Sequence, residues 1–218
     1  MENNNVLVTD RGVSNGHEWV DLGLPSGTKW ATCNVGATSP EEYGDYFAWG
    51  ETTTKDCYEP NAYKWTRAEY KMDVDVDIDL DAKKLTKYNT ETDAADDKWE
   101  LDAEDDAAHV VWGGEWRMPT NEEWTELRKK CVWTWTTHYG KNGYRVQSKV
   151  NGNSIFLPAA GEFCFMDIFD TEQNGEYWSK SLDVDIPTVA HGVIFTSEDY
   201  SHFTFDRYRG HTIRPVIK

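Results

Sequence analysis

The sequence predicts an α+β domain of short, mostly antiparallel strands with two or three short helices and long loops. Turn-forming residues recur every few positions, which indicates short strands joined by tight turns. Trp and Tyr each occur 11 times in 218 residues, well above ordinary usage. Because each large ring buries roughly 150–250 Å², we expect a core built mainly from aromatic side chains.

The clearest strand signal is a hairpin around Asn151-Gly152-Asn153. It joins the segment from Tyr144 to Val150 to the segment from Ser154 to Leu157. An Asn-Gly pair tolerates the positive φ angles that a tight turn requires. The sequence therefore predicts two antiparallel strands here.

Three segments carry helix start signals. Thr120 and Glu123 have the spacing of a capping box, which predicts a helix that starts there. A second short helix is predicted from Ser39 to Gly44, with Pro at its first position. A third is predicted from about Ala103 to Val110, with Asp102 as its cap.

One domain is expected from the length of the chain. Residues 1–16 are polar and are interpreted as a flexible lead-in, and residues 17–218 as a single domain with an acidic insert at about 72–106. The four cysteines are too widely spread for a CxxC metal site and too few for a disulfide scaffold. We expect buried thiols with at most one bridge.

Charge and hydropathy exclude some classes of partner. The formal net charge of −17 argues against nucleic acid and anionic membranes, since both are bound through Lys and Arg. No apolar run approaches the length of a membrane-spanning helix, so no membrane insertion is expected. The start of the chain lacks the pattern of a secretory signal.

The acidic insert has two open interpretations. Five carboxylates alternate with apolar residues and would line one face of an extended chain: Asp73, Asp75, Asp77, Asp79 and Asp81. EF-hand spacing fails, because Ile78 and Leu80 stand where Gly is required. The segment is either a solvated strand whose charges discourage edge pairing, or part of an irregular calcium site. The further oxygen ligands for calcium would be Asp93, Asp96, Asp97, Asp102, Glu104, Asp105 and Asp106.

Sequence motifs for catalysis are missing. The six histidines form no HxH or HExxH pair, and no GxSxG, Walker loop or GxGxxG occurs. Carboxylates are so plentiful that counting leaves a glycosidase-like pair open. We expect a protein that is not an enzyme and that has no cofactor, apart from the calcium considered above.

Three stretches carry a family resemblance. They are HEWVDLGLPSGTKWATCNVGATSPEEYGDYFAWGE at 17–51, EDDAAHVVWGGEWRMPTNEEWTEL at 104–127, and NGNSIFLPAAG followed by GEYWSKS and RGHTIRPV. Together they resemble the Fibrobacter succinogenes major paralogous domain of gut Bacteroidetes, from about His17 to Val216. The resemblance implies a C-type-lectin-like fold of the formylglycine-generating-enzyme branch. It does not imply that enzyme's activity, which uses a late cysteine pair, because no cysteine follows Cys164.

The same branch includes variable proteins of diversity-generating retroelements. In these, randomised adenines in Asn codons yield products that exclude Gln, Glu, Lys, Met and Trp. The segments Asp183 to His191 and Asp199 to Asp206 contain none of the five. The resemblance thus implies variable, ligand-binding C-terminal loops.

Composition favours the same loops as a contact surface. Tyr, Phe, His, Ser and Asp crowded together are typical of paratopes, and the Phe-rich stretch from Phe163 to Phe169 is a second candidate surface. The alternative is that Phe203, Phe205 and Tyr208 alternate inward on a terminal strand. The candidate ligand-binding residues are Phe163, Phe165, Asp167, Phe169, Asp183, Asp185, His191, Tyr200, Ser201, His202, Phe203, Thr204, Asp206 and Tyr208.

The functional expectation is a non-catalytic binding module. It would be an adhesin or a recognition protein of a phage, a pilus or a cell surface, and its partner a protein or glycan receptor on another cell or particle. An extracellular, cell-surface or virion location follows from this expectation. Two alternatives stay open, a structural surface module without a specific ligand and an enzyme that resembles the formylglycine-generating enzyme or acts on glycans.

Overall fold

The computed structural model describes residues 10–67, 80–90 and 95–218. The first strands are β1 (Arg11–Ser14), β2 (His17–Asp21) and β3 (Lys29–Ala31), and the α-helices are α1 (Ala107–Trp112) and α2 (Asn121–Lys130). The remaining strands are β4 (Cys131–His138), β5 (Lys141–Ser148), β6 (Ser154–Pro158), β7 (Glu162–Cys164), β8 (Asp167–Phe169), β9 (Gly175–Leu182), β10 (Val189–Phe195), β11 (Tyr200–Asp206) and β12 (Val216–Ile217).

These strands form four small antiparallel sheets. Their strand orders are β1-β2-β3-β12, β4-β5-β6, β11-β10-β9 and β7-β8. Strand β12 pairs with β3, so the end of the chain closes the sheet that its beginning opens. Residues 11–14, which the sequence assigns to the lead-in, form β1 and pair with β2.

The predicted C-type-lectin-like fold is wrong, whereas the structure is compatible with the coarser α+β class. The described residues are mostly antiparallel β-sheet, with 38% strand and 13% helix in four small sheets and two α-helices. The segment from Ser39 to Gly44 forms a turn and bends instead of the predicted helix. The Glu42 carboxylate accepts the backbone N–H groups of Thr38 and Ser39, as at a helix start. The N–H of Asp45 then bonds to the carbonyl of Val35, so the chain turns away after a single turn.

The third predicted helix begins later than expected. Residues Ala103–Asp105 form a 3-10 turn, and α1 follows it. Asp106, not Asp102, is the N-cap of α1 and accepts the N–H of His109. Since each Asp in this acidic run is a suitable cap, the sequence does not distinguish between them.

Two local predictions are confirmed. Thr120 and Glu123 form a reciprocal capping box at the start of α2. Strands β5 and β6 pair as a hairpin around Asn151-Gly152-Asn153. All four cysteines are free thiols, of which Cys131 and Cys164 are buried.

Aromatic side chains fill the core, as the composition predicts. Trp30, Trp49, Trp116, Trp124 and Trp178 are each almost fully buried. One cluster packs α2 and the β4–β6 sheet against β9 and β10, and a second packs around Trp49 and Trp178. The third, which includes Tyr46, Tyr58, Tyr63 and Tyr208, supports the β7–β8 hairpin.

Candidate functional site

The predicted site residues lie on three segments, which are the β7–β8 hairpin, the loop before β10, and β10–β11. The exposed members are Phe165, Asp167, Phe169, Asp185, His202 and Phe203. The half-buried members are Phe163, Asp183, His191, Tyr200, Ser201, Thr204 and Asp206, and Tyr208 is buried.

The β7–β8 hairpin carries an exposed apolar cluster, which we call the hairpin patch. Its members are Phe165, Met166, Ile168 and Phe169, which are between 44% and 72% exposed. Two backbone bridges hold the hairpin rigidly, one between Phe163 and Gly210 and one between Phe165 and Tyr58. Four large apolar side chains exposed within five residues are unusual for a surface that contacts only water.

Three predicted contact residues serve the core instead. Phe163 packs against Tyr46 and Tyr58, with ring centroids 6.0 and 4.7 Å apart. Tyr208 is 3% exposed and belongs to the same cluster. Tyr200 stacks on Trp133 at 4.7 Å. Each of these rings points into the core because it packs against rings that are distant in the sequence.

Phe203 and Phe205 lie on the same face of β11, with ring centroids 5.1 Å apart, and differ in burial. Phe205 points inward onto Trp178, with centroids 5.5 Å apart, whereas Phe203 is 49% exposed. The alternative of inward alternation for Phe203, Phe205 and Tyr208 therefore holds for Phe205 and Tyr208. Strand β11 is an edge of its sheet in the described chain.

A pocket of about 300 Å³ lies where β7, β9, β10 and β11 meet. Its lining includes the carboxylates of Glu162, Glu176 and Asp206, the guanidinium of Arg209, and Phe203. Arg209 joins two walls, because it donates to both oxygens of Glu162 at 2.8–2.9 Å and to Asp206 at 3.3 Å. Glu162 is also directly opposite Phe169 in the hairpin, so the hairpin patch and the pocket are adjacent.

Glu176, a buried residue of the pocket lining, lies 3.2 Å from the buried imidazole of His211. Burial and the negative charge of Glu162 raise the pKa of Glu176 to about 8. Burial, helped by the positive charge of Arg209, lowers the pKa of His211 well below its ordinary value. His211 is therefore neutral at physiological pH.

The other predicted residues form a separate surface. The ring nitrogens His202 Nε2 and His191 Nδ1 are 2.9 Å apart and share a hydrogen bond. Burial, then the neighbouring His191, lowers the pKa of His202. Asp183 caps the following turn by accepting the N–H groups of Asp185 and Ile186. The structure thus does not bring all candidate residues into one site.

Lysine side chains pair with two carboxylates of the acidic insert. Asp105 pairs with Lys64 at 2.8 Å and Lys87 at 2.5 Å, and Asp102 pairs with Lys87 and Lys98. Hydrogen bonds from Lys87 and Lys98 lower the pKa of Asp102 to about 2. Asp102, Glu104 and Asp105 also offer ligand atoms within 4.8 Å of one another, so the irregular calcium site stays a prediction. Asp73, Asp75, Asp77, Asp79 and Asp93 lie outside the described residues.

A larger pocket of about 390 Å³ lies beside β4–β6. Its lining includes Arg11, His138 and Arg145 together with hydroxyl side chains, and none of the predicted site residues.

Sequence reasoning missed three residues that line the 300 Å³ pocket, Glu162, Glu176 and Arg209, and the neighbouring His211. Glu176 and His211 stand inside the phrases GEYWSKS and RGHTIRPV, which carry the family resemblance and look like framework. A signal was present, because a carboxylate inside a buried strand needs a partner. The nearest basic group, His211, lies 35 residues away in the chain, so no sequence spacing indicates the contact.

Neither described helix combines the length and apolarity that crossing a membrane requires. No protein-family model, no curated protein and no solved structure matches the chain. The family resemblance of the three sequence phrases therefore stays a prediction.

Proposed function

We propose that this protein is a non-catalytic binding module that captures a protein receptor through the hairpin patch and the adjacent pocket. The observation that carries the proposal is the exposure of Phe165, Met166, Ile168 and Phe169 on one rigid hairpin. Aromatic and Met side chains of this kind form the centres of protein interfaces, where they are fully desolvated on binding.

The pocket adds polar specificity to this apolar surface. Arg209, held between Glu162 and Asp206, presents fixed hydrogen-bonding groups beside the exposed ring of Phe203. The edge position of β11 in the described chain offers unpaired backbone groups to an extended segment of a partner, as in strand addition. Both features favour a protein over a glycan.

The net charge of −17 also restricts the partner. Complementary charge accelerates association and suppresses wrong partners. A receptor with a basic rim around an apolar centre fits this surface best. Such a partner on another cell or particle is the function class that the sequence predicts.

The test compares three proteins on one panel of bacterial cells, purified surface proteins and immobilised glycans. They are the natural chain, the triple variant Phe165→Ser/Ile168→Ser/Phe169→Ser, and a control Val110→Ser/Val111→Ser. The control removes two apolar side chains of α1 that are 49% and 48% exposed.

The proposal expects protein partners whose binding falls at least tenfold in the triple variant and is retained in the control. Equal loss in both variants would reveal non-specific adhesion and contradict it. Binding to glycans alone would replace the protein receptor with a glycan. Absence of binding in every arm would favour the structural surface module.

A further inference from the structure

We propose that Glu162, Glu176 and His211 bind a zinc ion beside the pocket. One ligand atom from each side chain lies within 4.8 Å of the others. Two carboxylate oxygens and one imidazole nitrogen are ligands that zinc accepts. This proposal does not rest on the proposed capture of a receptor.

His211 is the observation that points to a ligand. The side chain is fully buried, and neither ring nitrogen has a hydrogen-bond partner among the described residues. Its Nδ1 lies 3.2 Å from Oε2 of Glu176, without the alignment of a hydrogen bond. A buried polar group without a partner costs free energy, and a cation between the imidazole and the carboxylates would supply one.

Aromatic packing fixes the imidazole in this orientation. The His211 ring centroid lies 4.6 Å from that of Trp178 and 4.3 Å from that of Phe205. The two walls that carry Glu162 and Glu176 belong to β7 and β9. Zinc bonds of about 2.0–2.2 Å place tetrahedral ligand atoms about 3.5 Å apart. Nδ1 of His211 and Oε2 of Glu176 are already 3.2 Å apart, and the most distant pair of ligand atoms lies within 4.8 Å, so it needs to close by no more than about 1.3 Å.

Charge balance favours a divalent cation. Glu162, Glu176 and Asp206 line the pocket together with Arg209. When all three carboxylates are ionised, they carry three negative charges, and Arg209 balances one of them. A divalent ion would balance the other two. If Glu162 turns one carboxylate oxygen towards the ion, Arg209 retains its ion pair with Asp206. The fourth zinc ligand would be water or a partner group in the pocket.

The pair of His191 and His202, near the surface, is a competing site for zinc. The experiment therefore uses chelator-treated protein and titrates zinc chloride alone, with calorimetry for stoichiometry and affinity and with the melting temperature as a second readout. The site variants are Glu176→Gln and Glu162→Gln, which keep side-chain shape. The controls are His202→Ala and Glu104→Gln, the latter in the lysine-paired acidic cluster.

The proposal expects one equivalent of zinc, a higher melting temperature with zinc, and at least tenfold weaker binding in both site variants. The two controls should bind as the natural chain does. Near-ultraviolet circular dichroism checks that each variant is folded, and His211→Gln adds a third arm if it folds. The proposal is overturned if the natural chain binds no zinc at micromolar concentration, if Glu176→Gln binds equally well, or if His202→Ala abolishes binding.

Discussion

Glu123 shows how a single side chain can join three parts of the chain. Its carboxylate accepts from both terminal nitrogens of Arg117 at 2.6–2.7 Å, from the hydroxyl of Thr28 at 2.7 Å, and from the N–H of Thr120 at 2.9 Å. Glu123 is buried, and removing one partner of a buried ion pair leaves the other charge uncompensated.

We predict that Glu123→Ala lowers the free energy of unfolding by about 3 kcal/mol. The control is Glu122→Ala, which removes the exposed carboxylate one residue earlier in the same helical turn and should cost under about 0.5 kcal/mol. Urea denaturation measures both values. Equal effects of the two substitutions would contradict the role given to Glu123.

The pH dependence of Glu123 has a defined sign. Burial opposes ionisation, but hydrogen bonds from Arg117, Thr120 and Thr28 outweigh it, so the pKa of Glu123 is lowered from 4.5. Its contribution to stability is complete above that ordinary value and is lost as the pH falls through the lowered folded-state pKa. The difference between the natural chain and Glu123→Ala should therefore stay constant from pH 7 to about 5 and shrink below about 4.

The role of a residue could be predicted when its partner lies within a few positions in the sequence. The capping box of Thr120 and Glu123 involves residues three apart, so the sequence showed it. The partners of Glu123 at Thr28 and of Glu176 at His211 are distant in the chain. Tyr200 and Tyr208 resembled contact residues by composition, and their burial depends on rings from other strands.

At the scale of elements, the β7–β8 hairpin depends on Gly161. This residue has φ +66°, and a Cβ at this position would lie 1.8 Å from the carbonyl oxygen of Phe169. The close approach brings the end of β8 against the start of β7. Any larger residue must displace the backbone of the hairpin that carries the exposed apolar cluster.

Gly161→Ala should destabilise the chain by about 3 kcal/mol or more, since a backbone clash adds to the strain of a left-handed conformation. Gly27→Ala is the matched control, because Gly27 has φ +72° and a Cβ added there would meet no atom within 4 Å. It should cost about 1–2 kcal/mol. Thermal and urea denaturation of both variants give the comparison, and a cost at Gly161 no greater than at Gly27 would show that the hairpin tolerates rearrangement.

Some strands and helices with local sequence signals were predicted correctly, whereas the pairing of distant strands was not predicted. The β5–β6 hairpin and α2 follow from turn and capping residues within a few positions. The pairing of β3 with β12 joins Trp30 to Val216, and no spacing in the sequence indicates such a contact. The predicted helix from Ser39 to Gly44 was wrong because the backbone after this segment bonds to Val35 instead of continuing the helical hydrogen bonds.

At the scale of the whole molecule, aromatic packing makes the surface rigid. A buried arginine connects distant loops to this core by donating hydrogen bonds to carbonyl and hydroxyl oxygens. Arg207 donates to the carbonyls of Lys87, Tyr88 and Pro187 and to the hydroxyl of Tyr63. The segment that follows β11 is therefore fixed, so the pocket walls are positioned before a partner arrives, and less conformational entropy is lost on binding.

The composition predicted this aromatic core, whereas the predicted lectin-like architecture was wrong. The abundance of Trp and Tyr predicts which side chains fill the core, but it does not predict the order and packing of the sheets. The Phe-rich stretch from Phe163 to Phe169 was predicted as a candidate surface, and residues 165–169 are exposed. The polar pocket beside it could not be inferred from spacing, since its residues come from four strands.

Hydrogen–deuterium exchange with the strongest protein partner from the binding panel tests the central claim most directly. Partner binding should slow amide exchange at least about tenfold in residues 162–169 and 201–206, while α1 exchanges as in the free protein. Protection confined to residues 131–156, beside the larger pocket, would contradict the assignment of the hairpin patch as the binding surface.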